Sequence, residues 1–297
     1  MKLSVFVVTY NQEKCIRQCL DSILMQEVDF DYEVVIGEDH GTDGTRAICE
    51  EYAEKYPQIR LLPLIENLGV AGNWRRVLLE CKGEYVAMCE GDDYWTDFKK
   101  LQTQVRFMDE NKQYAGCFHN ANKVDNAGCV ISVMYDGEMQ SEYDFDKIVS
   151  GWFMPTASLL FRRNSDVIVG FDKLAKYSYY SADRLLSALI SDKGNIAYMP
   201  SIMSVWRRNE ACLSMSGNLF KIYQGNISLY SALKDWLPVS RKKILSKRVF
   251  EWHGVLTLEY YKQAKYLKYI KELFVTLLYV RTFVDFKTWV KNYLFRK

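Results

Sequence analysis

The first third of the chain alternates between two patterns of hydrophobic and polar positions. Continuously apolar runs rich in β-branched residues are typical of strands that are buried on both faces of a sheet. Such runs occupy residues 3–8, 32–37, 60–63 and 84–89. Between them, apolar residues recur every three or four positions, which predicts helices, with Asn11 as the N-cap of the first and Gly83 just beyond the end of the third. This alternation predicts right-handed βαβ units and a mainly parallel sheet.

The rest of the chain is mixed at first and then helical. Its pattern predicts strands at 116–123 and 157–161, a helix at 183–190 and an extended segment at 196–206. From Leu219 onward the apolar residues have helical spacing. We therefore expect an α/β fold, a mainly parallel sheet flanked by helices, over residues 1–216 and a helical appendage over residues 217–297.

The charge of the chain is unevenly distributed. The net charge is only +2, which argues against the whole chain binding nucleic acid. Residues 240–297, however, carry 14 Lys and Arg against 4 Asp and Glu, so this tail has a net charge of +10 and residues 1–239 have −8. Basic helices that also carry exposed apolar and aromatic residues bind anionic membrane surfaces, so we expect a peripheral membrane contact through the tail. The alternative is a solvated helical face that packs on the rest of the protein.

The cysteines and the hydropathy indicate a cellular compartment. The eight cysteines form no C-x-x-C pair and the three histidines are scattered, so no zinc spacing is present. Reduced core cysteines, no recognisable signal peptide and no apolar stretch of 18 residues predict a cytoplasmic protein, with the inner face of the plasma membrane as its peripheral site.

Three polar clusters follow predicted strands. They are Thr9-Tyr10-Asn11, Glu38-Asp39 and Glu90-Gly91-Asp92-Asp93. In a parallel sheet these strand ends meet at one edge, where such folds bind ligands. A group of carboxylates at that edge suits Mg²⁺ or Mn²⁺ held together with substrate phosphates, although an acidic turn that caps the next helix would look the same. No G-x-G-x-x-G or P-loop pattern is present, which disfavours NAD and P-loop chemistry.

Longer strings within residues 3–95 carry a family resemblance. They are VVTYN, EDHGTDGT and ENLGVAGNWRRVLLECKGEYVAMCEGDDYW. In this order and spacing they resemble the inverting family 2 glycosyltransferases of GT-A fold, in particular a bacterial EGDDYW-type subgroup. Past residue 95 the resemblance is weaker and rests on residues 155–158, 181–184 and 205–207.

The resemblance implies an activity. Residues 1–115 would bind the donor, a nucleotide-diphospho-sugar and most simply a UDP-sugar, and residues 116–216 would bind the acceptor. The sugar would move with inversion to a hydroxyl of a saccharide or a lipid-linked saccharide, in surface polysaccharide or glycolipid synthesis. Two alternatives stay open, a non-catalytic sugar- or membrane-binding homologue and a sugar nucleotidyltransferase. The second would carry a Gly- and Lys/Arg-rich loop after the first strand, where this chain has TYNQEK.

The resemblance also implies roles for single residues. Asp92 would bind the divalent metal, Mn²⁺ or Mg²⁺, and Asp183 would be the catalytic base. Glu90 would contact the ribose, Asp93 the donor sugar and Arg207 the diphosphate. The other expected donor-binding residues are Thr9, Asn11, Glu13, Asp39, Asn67 and Asn73.

Several of these residues have plainer interpretations. Asp183 could simply cap a helix, and Arg207 could form a surface ion pair. His119 could lie on the wall of the crevice or in the core, and Tyr94 and Trp95 could stack on the ligand or pack in the interior.

Two departures from the family pattern stand out. Glu90 replaces the first aspartate of the metal motif, and Asn209 stands where a histidine is expected, which would weaken metal binding.

Overall fold

The computed structural model describes residues 1–64, 66–125, 127–151, 154–178, 181–207 and 219–283. The described residues divide into two compact units. The first lies within residues 1–175 and 182–207 and holds the sheet. The second lies within residues 176–181 and 219–283 and is mostly helical.

Ten strands are described in the first unit, and they form one sheet. The strands are β1 (Leu3–Thr9), β2 (Tyr32–Glu38), β3 (Ile59–Leu61), β4 (Tyr85–Glu90), β5 (Tyr94–Trp95), β6 (Gly116–Val124), β7 (Val130–Val133), β8 (Glu142–Tyr143), β9 (Leu160–Arg162) and β10 (Ile196–Arg207). Their main order is β3-β2-β1-β4-β9-β6-β10-β5, with β7 beside β6 and β8 beside β10.

Helices cover this sheet and make up most of the second unit. Those of the first unit are α1 (Ile16–Leu24), α2 (Thr45–Lys55), α3 (Gly69–Glu80), α4 (Lys100–Glu110), α5 (Phe145–Ser150), α6 (Ser165–Leu174) and α7 (Ala182–Ser191). Those of the second unit are α8 (Leu219–Trp236), α9 (Lys242–Lys262) and α10 (Tyr266–Phe283). The expected α/β sheet flanked by helices, with a helical C-terminal region, is therefore confirmed.

The strand directions bring the predicted polar clusters to one edge of the sheet. β3, β2, β1 and β4 are mutually parallel, and all seven residues of β1 are buried. β9 is antiparallel to both β4 and β6, so β6 and its parallel neighbour β10 run in the same direction as β4. The carboxyl ends of β1, β2, β4, β6 and β10 consequently share one side of the sheet, which we call the site edge.

Two predicted helix ends are wrong. α1 begins at Ile16 with Cys15 as its N-cap, whereas Asn11 lies in the preceding loop with a left-handed φ of 52°. α3 ends at Glu80, and Gly83 is needed for a different reason. A Cβ on Gly83 would lie 2.4 Å from the Ser4 backbone nitrogen, so only glycine fits this close approach to β1.

The strand predicted at 157–161 is only partly present. Residues Thr156–Ser158 form a 3₁₀ turn, and the strand β9 begins at Leu160. This turn contacts β4, β6 and β10.

In the described part of the chain, none of the helices combines the length and the apolar content that a membrane crossing requires. The seven described cysteines are all free thiols, and Cys212 lies outside the described residues.

Candidate active site

Two loops at the site edge are bonded to each other through side chains that the sequence assigned to the donor. The Asn11 amide oxygen accepts a hydrogen bond from the backbone N–H of Thr42 at 2.7 Å. The Glu13 carboxylate accepts from the Gly44 N–H at 3.0 Å, and the Glu13 N–H donates in turn to Asp43. Asn11 and Glu13 therefore shape the wall of the candidate pocket from the loop that follows β1.

Asp39 lies at the end of β2, where it connects this wall to the loop before α3. Its carboxylate accepts from the Leu68 backbone N–H at 2.8 Å, and its carbonyl accepts from the Asn67 side chain at 2.7 Å. Burial raises the pKa of Asp39, against the Leu68 hydrogen bond and the charge of Arg76. Asn67 thus holds Asp39 in place.

The Asn73 side chain also forms a hydrogen bond with the backbone of β2. Its side-chain amide donates to the Gly37 carbonyl at 2.8 Å, and its oxygen accepts from Arg76. Only 3% of Asn73 is exposed. Arg76, which the sequence analysis did not single out, also donates to the Glu38 carbonyl and so fixes the end of β2.

Three carboxylates of residues 90–93 lie together at the end of β4. Burial raises the pKa of Glu90 to about 8, and the charges of Asp92 and Asp183 add to this effect. Burial likewise raises the pKa of Asp92, and burial and the neighbouring carboxylates hold the pKa of Asp93 well above its usual range. Burial therefore makes it unfavourable for all three carboxylates to be ionised together.

Gln12 orients the middle carboxylate of this cluster. Its amide oxygen accepts from the Thr9 hydroxyl at 2.7 Å, and its side chain is hydrogen-bonded to Asp92. Gly91 makes room for this arrangement, because a Cβ there would lie 2.4 Å from the Gln12 amide oxygen. Thr9 therefore supports the candidate metal ligand indirectly. Gln12 lies within the string TYNQEK, but its sequence position alone gave no sign of this role.

Arg207, at the end of β10, is bonded directly to the acidic cluster. Its backbone N–H donates to the Asp93 carboxylate and its Nε donates to the Asp92 carbonyl, both at 2.9 Å. Its Nη2 donates to Gln18, and its guanidinium lies 5.5 Å from the ring centroid of Tyr94. With 8% of its surface exposed, Arg207 is a buried counter-ion, and the surface ion pair considered above is wrong.

Asp183 lies in the first turn of α7 and is half-buried. Burial raises its pKa, against the charge and the backbone N–H of Arg184. Its charge in turn raises the pKa of Glu90. Glu90 also accepts a hydrogen bond from the Thr156 side chain, in the 3₁₀ turn. The structure thus brings the two predicted halves of the site together at the end of β4.

Other candidates lie away from this crevice or outside the described residues. Trp95 is 1% exposed, and its indole N–H donates to the Ala157 carbonyl, so it packs in the interior. His119 is fully buried, its Nδ1 is 2.8 Å from the Asn120 carbonyl and burial lowers its pKa well below the usual range, as in a core histidine. Asn209 falls among the residues that the structure does not describe.

The donor set of the acidic cluster fits a hard divalent cation. Among the described residues, no group of three or more His, Cys, Asp and Glu side chains is arranged as a complete metal cage. Mg²⁺ and Mn²⁺ sites that act on diphosphates need only one or two carboxylates, because phosphate oxygens and water supply the remaining ligands. Asp92, oriented by Gln12 and half-exposed, has the chemistry of such a ligand.

The chain is similar in sequence to several known bacterial proteins. It is 34% identical over 209 residues to an uncharacterized protein of Mycobacterium tuberculosis, a match that covers 70% of this chain and 59% of that protein. It is 37% identical over 113 residues to the poly(ribitol-phosphate) beta-N-acetylglucosaminyltransferase TarS of Staphylococcus aureus, covering 37% of this chain and 19% of TarS. The chain therefore spans well under two thirds of the length of these relatives.

Solved structures show the same fold. The structure of residues 1–349 of S. aureus TarS in complex with UDP-GlcNAc matches with a TM-score of 0.63 at 20% identity, over 86% of this chain and 81% of that one. The mannosyltransferase PcManGT of Pyrobaculum calidifontis, in complex with GDP-Man and Mn²⁺, matches with a TM-score of 0.52 at 17% identity, over 96% of this chain and 76% of that one. The first unit thus has a GT-A-like fold.

The family model described as Glycosyl transferase family 2 matches residues 4–166. This match includes the loops after β1 and β2, the acidic cluster and the turn that carries Thr156. Because it covers more than half of the sequence, the chain belongs to glycosyl transferase family 2.

Proposed function

We propose that this chain transfers a sugar from a nucleotide-diphospho-sugar to an acceptor hydroxyl with inversion at the anomeric carbon. The observation that carries the proposal is the meeting of Glu90, Asp92, Asp93 and Asp183 at the site edge, beside the wall that contains Asp39. We take residues 1–216 as the catalytic domain, with the donor half in residues 1–115 and the acceptor half in residues 116–216.

Asp92 is the residue that would hold a divalent ion, Mn²⁺ or Mg²⁺. When bound, such an ion supplies Lewis-acid stabilisation of the negative charge that develops on the departing nucleoside diphosphate. Gln12 fixes the orientation of the carboxylate, and Arg207 places a permanent positive charge behind it. The relative that is solved with Mn²⁺ supports this choice of ion.

Asp39, Glu90 and Asp93 would contact the donor. Asp39 is held rigidly at the end of β2, where its carboxylate can accept from a base or a ribose hydroxyl. Glu90 would contact the ribose, and Asp93, which is buried, would contact the donor sugar. We propose a UDP-sugar as the donor, which is supported by the complex of TarS with UDP-GlcNAc.

Asp183 would act as the catalytic base. Inversion by direct displacement needs one group that accepts the proton of the acceptor hydroxyl while its oxygen attacks the anomeric carbon. Burial makes the Asp183 carboxylate more basic than a solvated one, as a proton acceptor requires. Its place in the first turn of α7 fixes its direction.

A saccharide or a lipid-linked saccharide is the proposed acceptor, in cell-surface polysaccharide synthesis. The support comes from relatives such as the poly(ribitol-phosphate) beta-glucosyltransferase of Bacillus spizizenii, which is 33% identical over 110 residues. That match covers 34% of this chain and 17% of the relative.

Thermal unfolding with a panel of nucleotides tests the donor site. We expect UDP with Mn²⁺ to raise the melting temperature, and GDP, CDP and dTDP to raise it less. A ligand at about 100 times its Kd stabilises a protein by about 2.7 kcal/mol. A panel without any shift would refute the donor pocket. A clear shift without acceptor-dependent loss of UDP-GlcNAc, assayed with lipid-linked saccharide extracts, would favour the non-catalytic homologue.

We also propose that α10 rests on an anionic membrane surface. Its exposed apolar residues recur at helical spacing, and Leu267 is 87% and Phe274 67% exposed. Lys268 and Lys271 are exposed on the neighbouring side of the same helix. An apolar strip flanked by lysines matches the boundary between acyl chains and anionic headgroups.

Vesicle flotation of the full chain tests this contact. We expect binding to vesicles of phosphatidylglycerol and phosphatidylcholine, and a loss of about 10-fold or more in affinity when Leu267→Asp and Phe274→Asp are combined, since each buried side chain contributes roughly 1.5–3 kcal/mol. Val130→Asp with Ile131→Asp, two apolar residues of the first unit that are 62% and 54% exposed, is the matched control. Equal binding of both double variants would contradict the proposal. Binding only to vesicles of pure phosphatidylcholine would contradict it as well.

A further inference from the structure

Lys100 is a fully buried lysine that the proposed donor site leaves without a role. It is the first residue of α4, and none of its surface is exposed. Its Nζ donates to the Gln104 amide oxygen at 2.7 Å and lies 4.0 Å from the centroid of a Trp95 ring. Burial lowers the pKa of Lys100 to about 7. A lysine in the interior costs stability, so its presence calls for a compensating function.

Both partners of Lys100, Gln104 and Trp95, donate hydrogen bonds to the 3₁₀ turn Thr156–Ser158. The Gln104 Nε2 donates to the Ser158 carbonyl, and the Trp95 indole N–H donates to the Ala157 carbonyl, each at 2.9 Å. Two consecutive carbonyls of one turn are therefore held by side chains that both contact Lys100.

The ammonium group also determines which way the Gln104 amide points. The Lys100 Nζ donates to the amide oxygen, and the amide nitrogen is directed at the Ser158 carbonyl. Without Lys100, the amide oxygen loses its donor, and the hydrogen bond to the Ser158 carbonyl is left without this support.

The other end of the turn reaches the crevice. Thr156 is half-buried, and its side chain donates to the Glu90 carboxylate. The Ser158 hydroxyl donates to the Pro155 carbonyl at 2.6 Å, which closes the turn on itself. A shift of the Ser158 and Ala157 carbonyls would therefore be passed on to the Thr156 hydroxyl.

We propose that Lys100 is a positioning residue for sugar transfer, which acts through Gln104 and Trp95 on the 3₁₀ turn and so places Thr156 against Glu90. The proposal rests on the function proposed above, since it assigns Glu90 to the donor side of the active site. Lys100 itself does not touch the substrate.

A double-mutant cycle tests the chain of contacts. The variants are Lys100→Met, Thr156→Val and their combination, and the assay is UDP release from saturating UDP-GlcNAc. We expect each single variant to lower kcat roughly 10- to 100-fold, because small displacements at a reacting centre have effects of this size. The double variant should be no slower than the slower single variant. Thr156→Ser, which keeps the hydroxyl, should stay near the wild-type rate.

Lys99→Met is the matched control, because the neighbouring Lys99 is exposed. It should keep the wild-type kcat. Trp95→Phe, which removes the donor to the Ala157 carbonyl together with part of the buried ring, should lower kcat in the same direction as Lys100→Met. Losses that multiply in the double variant, or a Lys100→Met rate equal to that of Lys99→Met, would overturn the proposal.

Hydrogen–deuterium exchange gives a readout that needs no activity. The backbone N–H groups of Ser158 and Leu159 donate to carbonyls within the turn. We expect them to exchange at least 10-fold faster in Lys100→Met than in Lys99→Met. Unchanged exchange would refute the positioning role even in an active enzyme. Faster exchange in a protein that turns over none of the donors tested would refute the proposed function. It would still support the contact between Lys100 and the 3₁₀ turn.

Discussion

Replacing Asp183 by Asn is expected to lower kcat for sugar transfer by roughly 10²- to 10⁴-fold, the usual contribution of a general base. Asn has nearly the same shape but cannot accept the acceptor's proton. Nucleotide binding should persist, because the donor wall is built by other residues. The measurement is steady-state transfer at saturating donor, together with the thermal shift that UDP and Mn²⁺ produce.

Helix capping offers a rival explanation for Asp183, and Asp166 provides the control. Asp166 lies in the first turn of α6, as Asp183 lies in that of α7, so Asn at either position removes a negative charge from a helix N-terminus. Such a charge stabilises a helix by about 0.3–1 kcal/mol. Asp166→Asn should therefore lower the melting temperature slightly and leave kcat unchanged. Equal losses of kcat in both variants, or more than a tenth of the wild-type kcat in Asp183→Asn, would rule out the assigned base.

The second large effect is expected for Asp92→Asn, which should remove the Mn²⁺-dependent part of nucleotide stabilisation. At about 100 times the Kd, that stabilisation is about 2.7 kcal/mol in the wild type. A protein of this size gains roughly 2–4 °C in melting temperature per kcal/mol, so a shift of about 5–10 °C should disappear. Sugar transfer should fall with it.

Without ligands, Asp92→Asn should melt at the wild-type temperature or above it. The physical reason is that burial raises the pKa of all three carboxylates, and that the charge of Asp92 raises the pKa of Glu90 and of Asp93 further, a repulsion that a neutral side chain relieves. Asp97→Asn, two residues beyond β5, is the control and should keep the full Mn²⁺-dependent shift. A shift that survives in Asp92→Asn would place the metal ligand elsewhere.

Much of the fold could be predicted because it depends on local pattern. Five of the seven buried residues of β1 are apolar, and Ile16, Cys19, Leu20 and Ile23 of α1 show helical spacing. The short strand β9 was predicted only in part, since three residues carry little pattern and its position between β4 and β6 depends on pairing with distant strands.

The places of the site residues in the fold could be predicted from the sequence, but their hydrogen bonds could be predicted less well. The carboxylates that were expected to meet at the site edge do lie there, because they follow the carboxyl ends of parallel strands. Asn11, however, bonds to Thr42, 31 residues away, and the sequence contains no sign of that pairing. The burial of Lys100 was equally hidden, since a lysine at a helix start normally faces solvent.

The hydrogen bonds between the loops after β1 and β2 and the loop before α3 bear on the thermodynamics of donor binding. Asn11, Glu13 and Asp39 already hold these loops in place in the free protein. A nucleotide that meets a preorganised wall loses its own freedom but orders little of the protein. Discrimination between bases then arises from the fit of the ligand to a fixed surface, and this side of the pocket should accept or reject a nucleotide without a closing motion.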